Sequence, residues 1–404
     1  MNWSFRIIAS CAGILSCSPA VAQSPLKVER VVMLMRHGIR PPTTLQPIPL
    51  RYSELAWPRW PVGPGLLTPH GAQGIKLLAA ADRAYFARLG VLSGAGCPAA
   101  GQVQIRASHV TRAIETAQAW STGLAPGCKL AVEHPASGAP DPLFHILDPR
   151  PAWFNGDRAY RAALAQAPAG GLPAQVRQVA PELRQISSVL GCTPPGCNML
   201  AGSTITPHRH GRPDMSGPLD AASTASETFL LEYLEGMPMK QVAWGRIDRR
   251  QILRLLVFNS IKFKYVDRPR FIARAAAGPL AKAILRALEA PAASRATLFA
   301  GHDTNIADLG GLLDAHWRVT GYPADAVPPG SALGFELLAD DRGRRFVRAF
   351  FRAQTMEQLR NLEGLGSANQ PYRQYVPVPG CSDPRIAFGC ELGTFRRLVE
   401  ARLR

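Results

Sequence analysis

In Arg36-His37-Gly38-Ile39-Arg40-Pro41-Pro42, one imidazole is set between two guanidinium groups. The planar forks of arginine match phosphate oxygens, and neighbouring positive charge disfavours an imidazolium. His37 is therefore expected to be a neutral nucleophile aimed at a phosphoryl group. A second stretch, Gly301-His302-Asp303-Thr304-Asn305, supplies Asp303 as an acid able to protonate a leaving oxygen and His302 as a donor to the phosphoryl group. Arg112 offers a third fork. Each feature alone has a plainer reading: His37 as a satisfied or exposed histidine, Arg112 paired with Glu115 on a helix surface. Together they point to phosphoryl transfer, which needs positioning and charge stabilisation above all.

These residues need elements that deliver them to one place. Residues 28–35 (VERVVMLM) end in a continuous apolar run, as in a strand buried on both faces, so Arg36 and His37 emerge at its carboxyl end, where open α/β sheets bind ligands. Met33 and Met35 are then core packing. Residues 102–107 (QVQIRA) predict a second strand, followed by a helix from Thr111 to Thr122 that carries Arg112. Residues 296–300 (ATLFA) predict a third, stopped by Gly301. GFELLAD and RRFVRAFF flank Asp341-Arg342-Gly343 and predict an antiparallel hairpin at a sheet edge. Strands alternating with helical stretches indicate an α/β fold.

From residue 151 to 258 the patterns are helical. Val176, Val179, Leu183, Ile186 and Leu190 recur at helical spacing, Pro181 begins a new helix, and SETFLLEYLEG ends at Gly236 as a cap. This predicts a smaller helical insertion domain (151–258) within an α/β domain built from 23–150 and 259–404, with a ligand crevice between them. His208-Arg209-His210 has no third ligand at a recognisable spacing and reads as a loop rather than a metal site.

Residues 1–22 have the pattern of an export signal: Arg6, the apolar stretch Ile7–Leu15, and cleavage near Ala22. An alternative lipoprotein reading runs through Cys17. No later segment is long and apolar enough for a membrane helix. Beyond the signal lie Cys97, Cys128, Cys192, Cys197, Cys381 and Cys390. In an exported chain they suggest three disulfides, with fifteen pairings open and the local set the simplest. Hydrophobic residues make up 47% and charged residues 19%, which excludes a disordered chain. The net charge of +17 attracts polyanions, but the basic residues are scattered, mostly arginine, so local anion pockets are expected rather than a nucleic-acid-binding tail.

With these residues in view, the chain resembles the histidine acid phosphatases, and within them the bacterial periplasmic branch of phytase and glucose-1-phosphatase. The likeness rests on Arg36 to Thr43, Thr111-Arg112, Asp141-Pro142-Leu143-Phe144, Glu227 in SETFLLEY, Trp244-Gly245-Arg246-Ile247, and Gly301 to Asn305. It implies a phosphoglycerate-mutase-like α/β/α sandwich with a helical insertion. It also implies the bridges Cys97–Cys128, Cys192–Cys197 and Cys381–Cys390, and no cofactor or metal. His37 would form a phosphohistidine while Arg36, Arg40, Arg112 and His302 hold the oxygens. Asp303 would protonate the leaving group and then activate water, giving an acidic pH optimum. Thr43, Glu227 and Arg268 match substrate-pocket positions; read without the resemblance, Glu227 is an ordinary helix residue. One departure is Thr44, where phytase-like members carry a lysine, whereas Thr304 is phytase-like. The implied substrate is a phosphorylated, polyanionic small molecule. Glucose-1-phosphatase-like activity is the nearest alternative. A phosphoglycerate mutase is opposed by the export signal, the cysteines and Asp303, and an inactive polyanion-binding module by the intact His37 and Asp303.

Overall fold

The computed structural model describes residues 26–136, 138–292 and 294–404, so the proposed export signal lies outside the described residues. The run Val31–Met35 forms the middle of β1 (Lys27–Arg36), and each of those five side chains is at most 1% exposed. Successive strand residues point to opposite faces. Accordingly, Val32 and Leu34 enter one apolar cluster, and Val31, Met33 and Met35 enter another. Two cores, one on each face of a strand, require helices on both sides of the sheet.

The parallel half of the sheet joins β1 to β2 (Val103–Ala107), β3 (Val132–Glu133) and β6 (Ala296–Gly301). The antiparallel half contains β7 (Ala332–Ala339), β8 (Arg345–Ala353), β9 (Tyr372–Val376) and β10 (Gly389–Glu391). The order is β10-β8-β7-β1-β6-β2-β3, with β9 also paired to β8. The hairpin expected at a sheet edge is β7–β8. It lies inside the sheet instead, because β1 covers β7 and both β9 and β10 cover β8. Both strands are buried nearly throughout, Glu336 and Arg352 included, as that interior position requires.

On one face, α1 (Pro69–Arg88) and α2 (Thr111–Leu124) bury Ile75, Phe86 and Trp120 against β1, β2 and β6. The other face carries the helices from α3 (Gly156–Leu164), α4 (Gly171–Gln178) and α5 (Ala180–Leu190) to α6 (Pro218–Leu234), α7 (Arg249–Leu255), α8 (Val257–Val266), α9 (Arg270–Glu289) and α10 (Asp303–Leu312). The short α11 (Met356–Arg360) and the terminal α12 (Leu392–Leu403) complete the fold, an α/β/α sandwich. Pro181 sits at the start of α5, and Gly236 takes φ 80° just beyond α6, where a left-handed residue ends the helix.

Two features of the helical segment differ from expectation. Residues 204–216 form a hairpin, β4 (Thr204–His208) with β5 (Gly211–Ser216), and His208-Arg209-His210 spans its turn. The division at 258 also falls inside α8, which packs against α6 and shares one apolar cluster with Leu34 and Phe299 of the sheet. Cysteine pairs 97–128, 192–197 and 381–390 are bonded. Among the described residues no helix is long and apolar enough to cross a membrane.

Candidate active site

Register places the chemistry. Arg36 and Gly301 are partners across the parallel pair β1–β6, and Ala107 pairs with Ala300 across β2–β6. The chain therefore leaves three neighbouring strands at one level, delivering His37, His302 and Ser108 side by side. Backbone bonds lock the junction: His37 N donates to Gly301 O at 2.9 Å, and Ser108 N to Ala300 O at 2.9 Å. Gly38 is required by packing, since a Cβ there would lie 2.8 Å from Leu67 Cδ1 and 3.2 Å from Gly71 O.

His37 is 1% exposed and its Nδ1 lies 2.8 Å from Gly38 O. A carbonyl only accepts, so Nδ1 carries the proton and Nε2 presents a lone pair. Burial, then Arg40, Arg112 and Arg36, hold His37 well below the usual imidazole range. It is neutral, as anticipated from its arginine neighbours.

The arginines differ among themselves. Arg36 is buried and donates to Val327 O and Glu227 Oε1, with Asp303 Oδ2 at 3.0 Å. Burial alone would lower its pKa, but Asp303 and Glu227 outweigh that and raise it. Arg40 bonds only its neighbour's carbonyl, Pro41 O at 2.9 Å, and Arg112 reaches His302 Nδ1 at 3.4 Å. Neither guanidinium has a carboxylate within 4.0 Å among the described residues, and the Nε of each is buried without a partner. Burial followed by Arg36 lowers Arg40, while burial followed by Arg40 lowers Arg112 to about 10. Two half-buried cations without an ion-pair partner, beside a free imidazole nitrogen, are able to hold an anion.

Asp303 begins α10, its Oδ1 accepting from Thr304 N at 2.9 Å. Burial pushes its carboxyl up, but Arg36 and Arg40 prevail and hold it below the ordinary value. His302, oriented by its backbone N–H to Asn305 Oδ1 at 3.0 Å, is held well below the imidazole range by burial and then Arg112. Glu227 on α6 bridges Arg36 and Asn259 Nδ2, the latter at 2.6 Å. Thr43 and Thr44 line the same cavity, of about 520 Å³, with Arg40, Arg112, Glu227, His302 and Asp303.

Arg268 is the exception among the sequence-derived positions. It packs behind α10 against Trp317 and donates to Ala315 O at 2.8 Å, away from the cavity. A Cβ on Gly310 would lie 2.7 Å from its Nη1, so α10 fits over it only because that position is glycine. Its neighbour Asp267 faces the cavity instead and, with Asp308, pairs with Arg212 of β5 at 2.8 and 2.6 Å. Lys262 also lines the wall, paired with Asp220 at 2.7 Å. Sequence reading did not single out Arg212, Lys262, Ser108, His145 or Asp148, because none has a local motif. His109, Asp141 and His145 have ligand-type atoms within 4.8 Å of one another. Asp141 accepts from His109 N and Phe144 N and lies 3.3 Å from His109 Nδ1, and His145 bonds Ser108 and Asp148. The group is a hydrogen-bond cluster.

Comparison with known proteins adds three findings. The profile of the histidine phosphatase superfamily (branch 2) matches residues 27–153 and 238–352. The chain is 34% identical to Phytase AppA of Escherichia coli (strain K12), covering 96% of each, and 28% identical to Glucose-1-phosphatase of Salmonella typhimurium, covering 99% of each. The fold superposes on Hafnia alvei phytase in complex with myo-inositol hexakis sulphate with TM-score 0.86 and 32% identity, over 94% of this chain and 98% of that one.

Proposed function

The chain belongs to the histidine phosphatase superfamily, branch 2, and is a phosphomonoesterase of the histidine acid phosphatase type; from that premise we propose the residues that carry its reaction and the substrate it prefers. The observation that carries the assignment of residues is the pair Arg40 and Arg112, half-buried with no carboxylate in ion-pair reach beside His37 Nε2.

His37 Nε2 attacks phosphorus in line with the leaving oxygen, forming an N–P bond as the P–O bond breaks, while Asp303 gives its proton to that oxygen. Arg36, Arg40, Arg112 and His302 hold the non-bridging oxygens, so the developing charge sits among fixed cations and needs no metal. Water then attacks the phosphohistidine, Asp303 takes its proton, and the N–P bond breaks. Glu227 positions Arg36, and Thr43 contacts the substrate.

We propose phytate as a substrate, on the likeness to phytases and the several basic groups on one cavity. A second reading, a sugar phosphatase, is favoured by the outer wall. Thr44 offers no charge there, and Arg212 and Lys262 are already balanced by Asp267, Asp308 and Asp220. Export to the periplasm or the medium is proposed from the signal pattern of residues 1–22 and the three disulfides. We propose that the helical insertion forms the cavity's far wall and that it ends with α8 rather than at residue 258.

The test is a panel of phytate, glucose 1-phosphate and an aryl phosphate, run with and without chelator on the wild type and His37→Ala. We expect His37→Ala to lose at least about a thousandfold in kcat, with chelator having no effect. Full activity in His37→Ala would remove the phosphohistidine. A kcat/KM for glucose 1-phosphate far above that for phytate would select the second reading.

A further inference from the structure

Behind His302 runs a chain of polar contacts that the phosphoryl reaction as described does not use. His302 Nδ1 faces the cavity, 3.4 Å from Arg112 Nη2, and its Nε2 lies 3.3 Å from Ser108 Oγ. Ser108 Oγ is 2.8 Å from His145 Nε2, and His145 Nδ1 is 2.7 Å from Asp148 Oδ2. Ser108, at the carboxyl end of β2, is fully buried, whereas Asp148 reaches solvent at the cavity rim with its side chain 66% exposed.

Donor and acceptor rules leave few proton arrangements along this chain. Asp148 is an acceptor when ionised, so His145 Nδ1 carries a proton. If both imidazoles are neutral, His145 Nε2 accepts from Ser108 O–H, Ser108 accepts from His302 Nε2–H, and His302 Nδ1 faces the cavity bare. That suits the empty site, where Arg112 donates to Nδ1. It does not suit a bound phosphoryl group, whose oxygens also only accept. The alternative makes His145 the cation beside Asp148. Its Nε2–H then donates to Ser108, Ser108 O–H donates to His302 Nε2, and His302 turns an Nδ1–H to the cavity while staying neutral. This arrangement holds one more proton, taken from solvent along the wall that His145 and Asp148 line. Charging His302 itself is opposed by its burial and by Arg112.

We propose that Ser108, His145 and Asp148 form a positioning relay that keeps the single proton of His302 on Nδ1, toward the phosphoryl oxygen, with the compensating charge held at the His145–Asp148 pair. The proposal rests on the reading of His302 as a phosphoryl contact. Which nitrogen of an imidazole is protonated is set by the bond its other nitrogen makes. The groups facing His145 are Asp148 on its own segment, His109 from the β2–α2 junction at 4.9 Å between ring centroids, and His302 at 5.0 Å. Asp141 lies beyond His109, and Arg212 of β5 acts on Asp148 across the cavity.

The experiment compares wild type, Ser108→Ala, Ser108→Thr, Asp148→Asn and His37→Ala, with kcat and KM measured across pH on an aryl phosphate and folding checked by thermal melts. Ser108→Ala is expected to lower kcat about tenfold, less than removal of a direct proton donor, with KM within about twofold and activity restored in Ser108→Thr. Asp148→Asn, which removes the counter-charge beside His145, should lower kcat about threefold or more with KM within about twofold. Wild-type kcat in both Ser108→Ala and Asp148→Asn, with His37→Ala inactive, would overturn the relay and leave the phosphohistidine reading intact. An active His37→Ala would instead overturn that reading. If Ser108→Ala does not fold, the exposed Asp148 decides alone: wild-type kcat in Asp148→Asn rejects the relay.

Discussion

In the proposed reaction Asp303 must carry a proton when a leaving oxygen needs one, yet Arg36 stands 3.0 Å away and holds its carboxyl below the ordinary range. The substrate resolves the conflict. A phosphate dianion between Arg36, Arg40 and Arg112 cancels the charge that depresses Asp303 and adds a negative charge beside it, and both effects raise its pKa. Because kcat/KM reports the free enzyme and kcat the complex, the alkaline limb of kcat is expected at higher pH than that of kcat/KM. Coincident limbs in a pH series on one substrate would sink this account. His37 works in the other direction: it stays neutral at low pH, so its titration should not cut activity on the acid side within the usual imidazole range. The acid role also predicts selectivity among leaving groups. Asp303→Asn should cost substrates with alkoxide leaving groups on the order of a hundredfold or more in kcat and an aryl phosphate far less; equal losses on the two would show that Asp303 does not act as the acid.

At the scale of elements, the site depends on how closely α10 approaches β6. Gly301 has an ordinary φ, so its role is spatial: a Cβ there would lie 2.7 Å from Asn305 Oδ1 and 2.7 Å from Phe144 Cδ1. Asn305 holds His302 N and donates to Phe144 O at 2.8 Å, so displacing it moves His302 and Asp303 together. Gly301→Ala is expected to cost about 1–3 kcal/mol and to lower kcat on every substrate alike, as read from denaturant midpoints and the same panel. An unchanged kcat would mean that α10 tolerates the shift. This junction was legible in the sequence because the continuous apolar runs of β1 and β6 both stop at the residues that carry chemistry. The β4–β5 hairpin was not legible: of Thr204–His208 only Ile205 is buried, so no alternation marks the strand. Arg268 shows a finer limit. At the end of α8 a shift of one residue turns a side chain from the cavity to the back of α10, and Asp267 occupies the position expected of the arginine. Ser108 and His145 come from separate segments and meet only through the sheet's register.

Across the whole molecule, a net charge of +17 and a largely balanced outer cavity wall call for different explanations of substrate preference. If recognition of a polyphosphate depended on contacts at that wall, removing Lys262 would matter most and salt would matter little. If it depends on the field of the scattered arginines, capture should be sensitive to screening, because the Debye length shrinks from about 30 Å at 0.01 M salt to about 8 Å at 0.15 M. Arg212 and Lys262 are each within hydrogen-bond reach of a carboxylate, whereas Arg40 and Arg112 are free to bind one phosphate, so the second explanation is the stronger. Over that salt range kcat/KM for phytate is expected to fall about tenfold, and that for glucose 1-phosphate about threefold or less, with kcat nearly constant for both. Lys262→Ala should change the phytate value less than about threefold at the lower salt. A salt-independent kcat/KM together with a large loss in Lys262→Ala would transfer substrate selection from the field of the molecule to the wall of the cavity.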